Sequence, residues 1–189
     1  MNESNTYTCL PETNPRLRLL LGQAGKNNLL CVGLNPSRAN ENHLDPTSRS
    51  IQRIAINHGF DGWLLVNLYP LRSPHPRALP LRANLQLWHQ NMDFIESLLQ
   101  PSEQIQNTVM LAWGNYLSGT GRTYLLRAAH KLGKMLQTCN TPVNCIGLTA
   151  AGHPIHPSPQ VVNTRLGGLS KVNLQYFPLD QYLQNLPHK

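Results

Sequence analysis

The sequence predicts a single three-layer α/β domain built on a four-stranded parallel sheet. Four apolar runs of strand length recur along the chain, each ending in turn-forming or polar residues. The runs do not alternate apolar with polar, as expected of strands covered on both faces. Helical patterns fill the intervals, and repeated strand–helix–strand units give a parallel sheet with right-handed crossovers.

The predicted strands are residues 29–34 (LLCVGL), 63–68 (WLLVNL), 109–113 (VMLAW) and 143–148 (VNCIGL). The first helix opens at Asp45-Pro46, with Asp45 as N-cap and Pro46 at the first helical position. Its apolar face is Ile51, Ile54 and Ala55, and Gly59 stops it. The second helix covers about residues 84–99, with Leu85, Trp88, Met92, Ile95 and Leu99 on one stripe. The third covers about residues 121–136 and buries Leu125, Ala129, Leu132 and Leu136. The chain of 189 residues suits one domain. Residues 1–25 form an N-terminal extension to it and residues 165–189 a C-terminal one.

Lys and Arg outnumber Asp and Glu by 16 to 9, a formal net charge of +7. No acidic residue falls between Glu103 and Asp180, a stretch that holds Arg122, Arg127, Lys131, Lys134, Arg165 and Lys171. A second acid-free stretch, between Asp61 and Asp93, holds Arg72, Arg77 and Arg82. One-signed regions of this kind attract polyanions, above all nucleic acid, although they also suit an ordinary solvated surface. The apolar runs are too short to span a bilayer, and the first twenty residues do not read as a secretory signal. A cytoplasmic protein without a membrane partner is expected. Cys9, Cys31, Cys139 and Cys145 form no C-x-x-C pair, and Cys139, Cys145, His153 and His156 match no common zinc spacing. Neither a metal nor another cofactor is called for.

In a parallel sheet, ligands bind beyond the carboxyl ends of the strands where the strand order reverses. The loops that matter are therefore residues 35–45, 69–83, 114–120 and 149–164. Three of them are longer than a connection requires, which favours function over linkage. The strand ends read Gly33-Leu34-Asn35-Pro36-Ser37, Asn67-Leu68-Tyr69-Pro70-Leu71-Arg72 and Trp113-Gly114-Asn115-Tyr116. After the fourth strand comes Gly152-His153-Pro154-Ile155-His156-Pro157-Ser158-Pro159.

In this order the segments GLNPS, LLVN, LAWG and HPSP resemble the strand-end motifs of the uracil-DNA glycosylase superfamily. The stretch Ser170-Lys171-Val172-Asn173 is similar to a further segment there. Residues 29–157 more specifically resemble a bacterial family catalogued as domain of unknown function 1643. That likeness rests on GLNPS-x-A, D-P-T, V-N-L, A-W-G and G-L-T-x-x-G-H-P-x-H-P. It implies no activity. The glycosylase resemblance implies a glycosylase-like fold and removal of a modified or mismatched base from nucleic acid, in most cases DNA.

By that resemblance Asn35 holds the water, His156 steadies the departing base with His153 in reserve, and Asn67 reads the base edge. A carboxamide offers both a donor and an acceptor for such reading. Ser37 stands where the uracil-specific branch has a bulky Tyr, and Tyr69 is the available stacking aromatic. Arg38, Arg72, Ser158 and Arg165 are placed to meet the nucleic-acid backbone, and Gln160 and Val161 stand where a wedge residue is expected. Asn35 replaces a carboxylate of the most active branch, so it orients water without acting as a general base. Two readings compete: a nucleic-acid or nucleotide binding module using the same pocket, and a small-nucleotide hydrolase using His153 and His156. Asp45 reads as a helix cap.

Overall fold

The computed structural model describes residues 7–118 and 120–187. Residues 1–6 of the expected N-terminal extension, Gly119 of the third loop and residues 188–189 of the C-terminal extension lie outside the described residues. The strands are β1 (Thr8–Leu10), β2 (Leu20–Gln23), β3 (Asn27–Gly33), β4 (Gly62–Asn67), β5 (Gln106–Leu111), β6 (Val143–Cys145) and β7 (Gln175–Tyr176). The helices are α1 (Pro46–Asn57), α2 (Leu85–Leu99), α3 (Thr123–Thr138), α4 (Pro159–Arg165) and α5 (Leu179–Asn185). Among the described residues no helix is long and apolar enough to cross a membrane.

All seven strands lie in one mixed sheet of order β1-β2-β4-β3-β5-β6-β7. The four predicted strands are its parallel centre, β4-β3-β5-β6. The expectation of four strands is corrected to seven, because β1, β2 and β7 add antiparallel edges. These three come from the segments read as extensions. They are two to four residues long, too short to carry a periodic apolar signal. Short edge strands also present little unpaired backbone to another chain.

The central strands alternate between two apolar layers. Leu30, Val32, Val66 and Leu111 face α2, α3 and α5, whereas Leu29, Cys31, Leu65 and Met110 face α1 and α4. Both faces being apolar, the runs cannot alternate in the sequence. Helix α1 begins as predicted: the Asp45 carboxylate accepts from the Ser48 N–H at 2.8 Å, and Pro46 takes the first turn. Gly59 follows it at φ +77°, a left-handed conformation that glycine adopts without strain. Asn84 caps α2 through the Leu87 N–H at 3.0 Å. Met92, Ile95 and Leu99 are buried, but Leu85 of the predicted stripe is exposed at the first turn. In α3 all four predicted core residues are buried.

The strand order reverses between β3 and β5. The chain passes from β3 to β4 on one side and then returns across β3 to β5 on the other. Helix α1 follows β3 on one face and α3 follows β5 on the other, so the loops leaving β3 and β5 part there, the place where open α/β sheets take ligands.

Candidate functional site

Three of the sequence-predicted residues lie at or beyond the carboxyl ends of the central strands. Asn67 is the last residue of β4 and pairs in register with Gly33, the last of β3. Asn35 follows two residues later. His156 arrives from the loop after β6 and packs against Gly114, where a Cβ built on the glycine would lie 3.2 Å from the His156 Cβ.

Asn35 is held by its amide. Its Nδ2 donates to the Pro36 carbonyl at 3.0 Å and to the Ser73 carbonyl at 2.8 Å. Two carbonyl partners fix which end is nitrogen. Oδ1 makes no hydrogen bond among the described residues and remains an acceptor, the role that orienting a water requires.

Asn67 is buried, with its Oδ1 against the Cα of Gly33, where a Cβ would lie only 2.8 Å away. Glycine at 33 is what leaves room for this carboxamide. The Asn67 Nδ2 is buried and has no hydrogen-bond partner among the described residues. Buried polar groups are almost always paired, and an unpaired amide costs about 1–3 kcal/mol. The unpaired Nδ2, at the carboxyl end of β4, is therefore a candidate donor to a ligand.

The loop after β6 is a tight turn-back. Leu148 bridges Pro154, and Ile155 N–H donates to Gly147 O at 2.9 Å. Gly147 and Gly152 supply the positive φ values it needs. Gly114 N–H then donates to Pro154 O at 2.9 Å, clamping the loop over the end of β5.

The two histidines of this loop differ in what they are free to do. His153 is buried, with Nε2 2.8 Å from the Ser118 hydroxyl and Nδ1 2.8 Å from the Tyr182 hydroxyl. Trp113 Nε1–H donates to that same Tyr182 oxygen at 3.1 Å. Neutral His153 accepts at one ring nitrogen and donates at the other, and the Ser118 and Tyr182 hydroxyls can each serve as either partner. With both nitrogens engaged, His153 braces the loop. His156 is half-buried, and its ring has no hydrogen bond among the described residues.

Burial pushes both histidines below their ordinary pKa, and for His156 the charge of Asp45 partly opposes this. Both imidazoles are neutral at pH 7. Each takes a proton less readily folded than unfolded, so its contribution to stability is complete above the ordinary histidine value of about 6.5. That contribution is lost as pH falls through the depressed folded values. The urea midpoint is expected to fall from pH 7 to pH 5, with part of the slope removed by His153→Gln. A midpoint that is flat or rises over that range contradicts these environments.

Other expected residues lie elsewhere. Tyr69 is 1% exposed, its ring tilted on Tyr124 at 4.8 Å and its hydroxyl accepting from Asn84 N–H. It packs in the layer facing α2 and α3, so as a stacking residue it is corrected to a core residue. The local run Asn67-Leu68-Tyr69-Pro70 leaves the strand so quickly that the ring turns to the far face.

Arg72 is also spoken for: its guanidinium donates to the carbonyls of Leu17, Ser37 and Ala39 and to Cys9 Sγ. It staples loops rather than reaching outward. Ser37 is half-buried with its carbonyl in that staple, and Arg38 and Arg165 are exposed. Ser158 precedes α4 but makes no side-chain cap bond. Val161 packs on the core layer under α1, while Gln160 is exposed.

Sequence reading gave Asp45 as a helix cap, and its charge is also felt at His156. One charged group was missed. Arg18, in the supposed extension, is 2% exposed. Nothing in its local sequence marks it. Among the described residues no three His, Cys, Asp or Glu side chains gather in a metal-binding arrangement.

Fold and strand ends define a mixed α/β protein whose strand order reverses between β3 and β5, with polar residues beyond the ends of its parallel strands. Residues 17–158 match the family described as Protein of unknown function (DUF1643), and the chain belongs to that family. No curated protein and no solved structure is significantly similar to it.

Proposed function

We propose that the chain is a glycosylase-like hydrolase that takes up a modified or mismatched base of nucleic acid at these strand ends and cleaves its N-glycosidic bond. The unpartnered, buried Nδ2 of Asn67 carries the reading, because it is a donor waiting for a base carbonyl. The fold is then similar to that of the uracil-DNA glycosylases, as the GLNPS, LLVN, LAWG and HPSP segments imply. The base is extruded into the pocket and read on its edge. Asn35 Oδ1 accepts a hydrogen bond from the water that adds to C1′. The base leaves as an anion steadied by an N–H of the neutral His156 ring. The base anion then takes up a proton, and the attacking water gives one to solvent.

Asn35 cannot accept that proton, and Tyr69, sunk in the core, is not free to stack on the base. Stacking normally contributes about 1–3 kcal/mol per base. Both features favour a selective, slow enzyme over an efficient one. They also support the second reading, a module that binds a base or nucleotide without turnover.

The test is a panel of single- and double-stranded oligonucleotides carrying uracil, hypoxanthine, oxidised or alkylated bases, scored for alkali-labile abasic sites. One lesion is expected to be released, with release abolished by Asn35→Ala. If no lesion is processed but a modified strand binds more tightly than plain DNA, the binding-module reading replaces this one. If neither occurs, both are wrong.

A further inference from the structure

Two guanidiniums, Arg18 buried and Arg72 half-buried, lie beside the loop that carries Asn35, and neither has a carboxylate within ion-pair distance among the described residues. Arg18 Nη1 donates to Ala39 O at 3.2 Å, and Arg72 Nη1 donates to the same carbonyl at 2.6 Å. Sharing one oxygen sets the two cations side by side. Among the described residues the one ion pair is Lys131 with Asp93, far along the chain. Arg18 Nε is sealed from solvent and unpaired, and Nη2 has no hydrogen bond among the described residues. Burial and the neighbouring Arg72 push the Arg18 pKa down to about 10, with Asp45 and Cys9 opposing. A folded chain rarely tolerates buried, like-charged groups unless something compensates them.

Beside the pair opens a cavity of about 770 Å³. Its wall includes Arg72 and Cys9, with Ser37 and Arg38 from the loop after β3. Glu12 and Glu41 also line it, neither within ion-pair distance of Arg18 or Arg72. Arg38 is exposed, and the Ser37 hydroxyl makes no hydrogen bond among the described residues.

We propose that this cavity binds a phosphate group, held directly by Arg38 and the Ser37 hydroxyl and stabilised by the charge of Arg72 in its wall and of Arg18 behind it. An arginine fork matches the oxygens of phosphate better than a lysine point charge does. The phosphate belongs either to a free nucleotide or to a nucleic-acid strand. The site deepens the base-recognition reading, since one loop carries Asn35 at its start and Ser37, Arg38 and Ala39 just beyond. It does not depend on turnover.

The test measures melting temperature and calorimetric binding with inorganic phosphate, thymidine 5′-monophosphate, thymidine, and oligothymidylate lacking terminal phosphates. Inorganic phosphate and the monophosphate are expected to raise the melting temperature of the wild-type chain, and thymidine to leave it unchanged. Arg38→Ala should weaken monophosphate binding about tenfold. Arg18→Met should melt no lower than wild type in phosphate-free buffer, because an apolar side chain replaces an unpaired cation, yet lose the response to phosphate.

Binding of the oligothymidylate that Arg18→Met abolishes assigns the site to strand phosphates. Binding of the monophosphate alone assigns it to free nucleotides. If Arg18→Met does not fold, Arg38→Ala carries the test. A wild-type chain indifferent to phosphate, or variants that respond as wild type does, overturns the proposal. Base release without any phosphate response would leave the glycosylase reading standing and remove this one. A phosphate response without base release would do the reverse.

Discussion

Replacing His156 with alanine is expected to slow base release by about 10²–10³-fold while leaving the fold intact, the usual effect of losing one hydrogen-bond donor to a developing anion. Its ring makes no hydrogen bond among the described residues, so truncation strands no protein partner. On the proposed reading, the contact removed is one made to the departing base. Single-turnover release from the processed oligonucleotide, followed beside the melting temperature, checks it. His153→Ala should behave in the opposite way, because both ring nitrogens are bonded, to Ser118 and Tyr182. It strands both hydroxyls and lowers stability first. Equal rate losses without loss of stability in the two variants would contradict the division between a free and a bracing histidine. The rate on His156→Ala should not be rescued at lower pH, because the group lost acts as neutral imidazole.

The largest effect on stability is expected at Arg122. Its Nε and Nη2 donate to Leu79 O at 2.9 and 2.6 Å, and its Nη1 donates to Thr120 O at 2.6 Å. Nη2 also donates to Arg77 O. One guanidinium thus joins the second and third strand-end loops just before α3. Arg122→Met keeps the bulk but removes every donor, leaving the buried Leu79 carbonyl and its neighbours unsatisfied. Bonds to a charged donor contribute about 1.5–3 kcal/mol each, so a loss of about 3–5 kcal/mol is expected. For a chain of this size that lowers the melting temperature by roughly 10 °C. In urea the midpoint should drop with the slope unchanged. A loss below about 1 kcal/mol would mean that the loops hold each other without it.

Arg122 also bears on the charge of the surface. By sequence it belongs to the acid-free stretch that attracts polyanions, yet it is sunk among carbonyls. Lys131 of the same stretch pairs with Asp93 at 3.5 Å and lies over the Trp88 ring. Arg127, Lys134, Arg165 and Lys171 remain exposed. The long-range field is therefore weaker than the residue count suggests. The Arg18 and Arg72 pair, by contrast, concentrates charge where no composition would reveal it.

The sequence by itself determined the parallel centre of the sheet and its helices. Each of those elements carries its own signal: an apolar run, a helical stripe, or a cap such as Asp45-Pro46. Such signals are local, because burial on both faces and the 3.6-residue period act on neighbouring residues. The strand ends were legible for the same reason: Asn67 closes β4 and Asn35 lies just beyond β3, where their local sequence put them. What only the tertiary structure decided was set by partners distant in the chain. The edge strands β1, β2 and β7 exist through pairing rather than pattern. Tyr69 became core because Tyr124 and Asn84 meet it. His153 and His156, three residues apart, were divided by Tyr182 and Ser118, which bond to one ring and not the other. Hydrogen bonds across many residues leave no periodicity in the sequence, so burial and bonding had to be seen in three dimensions.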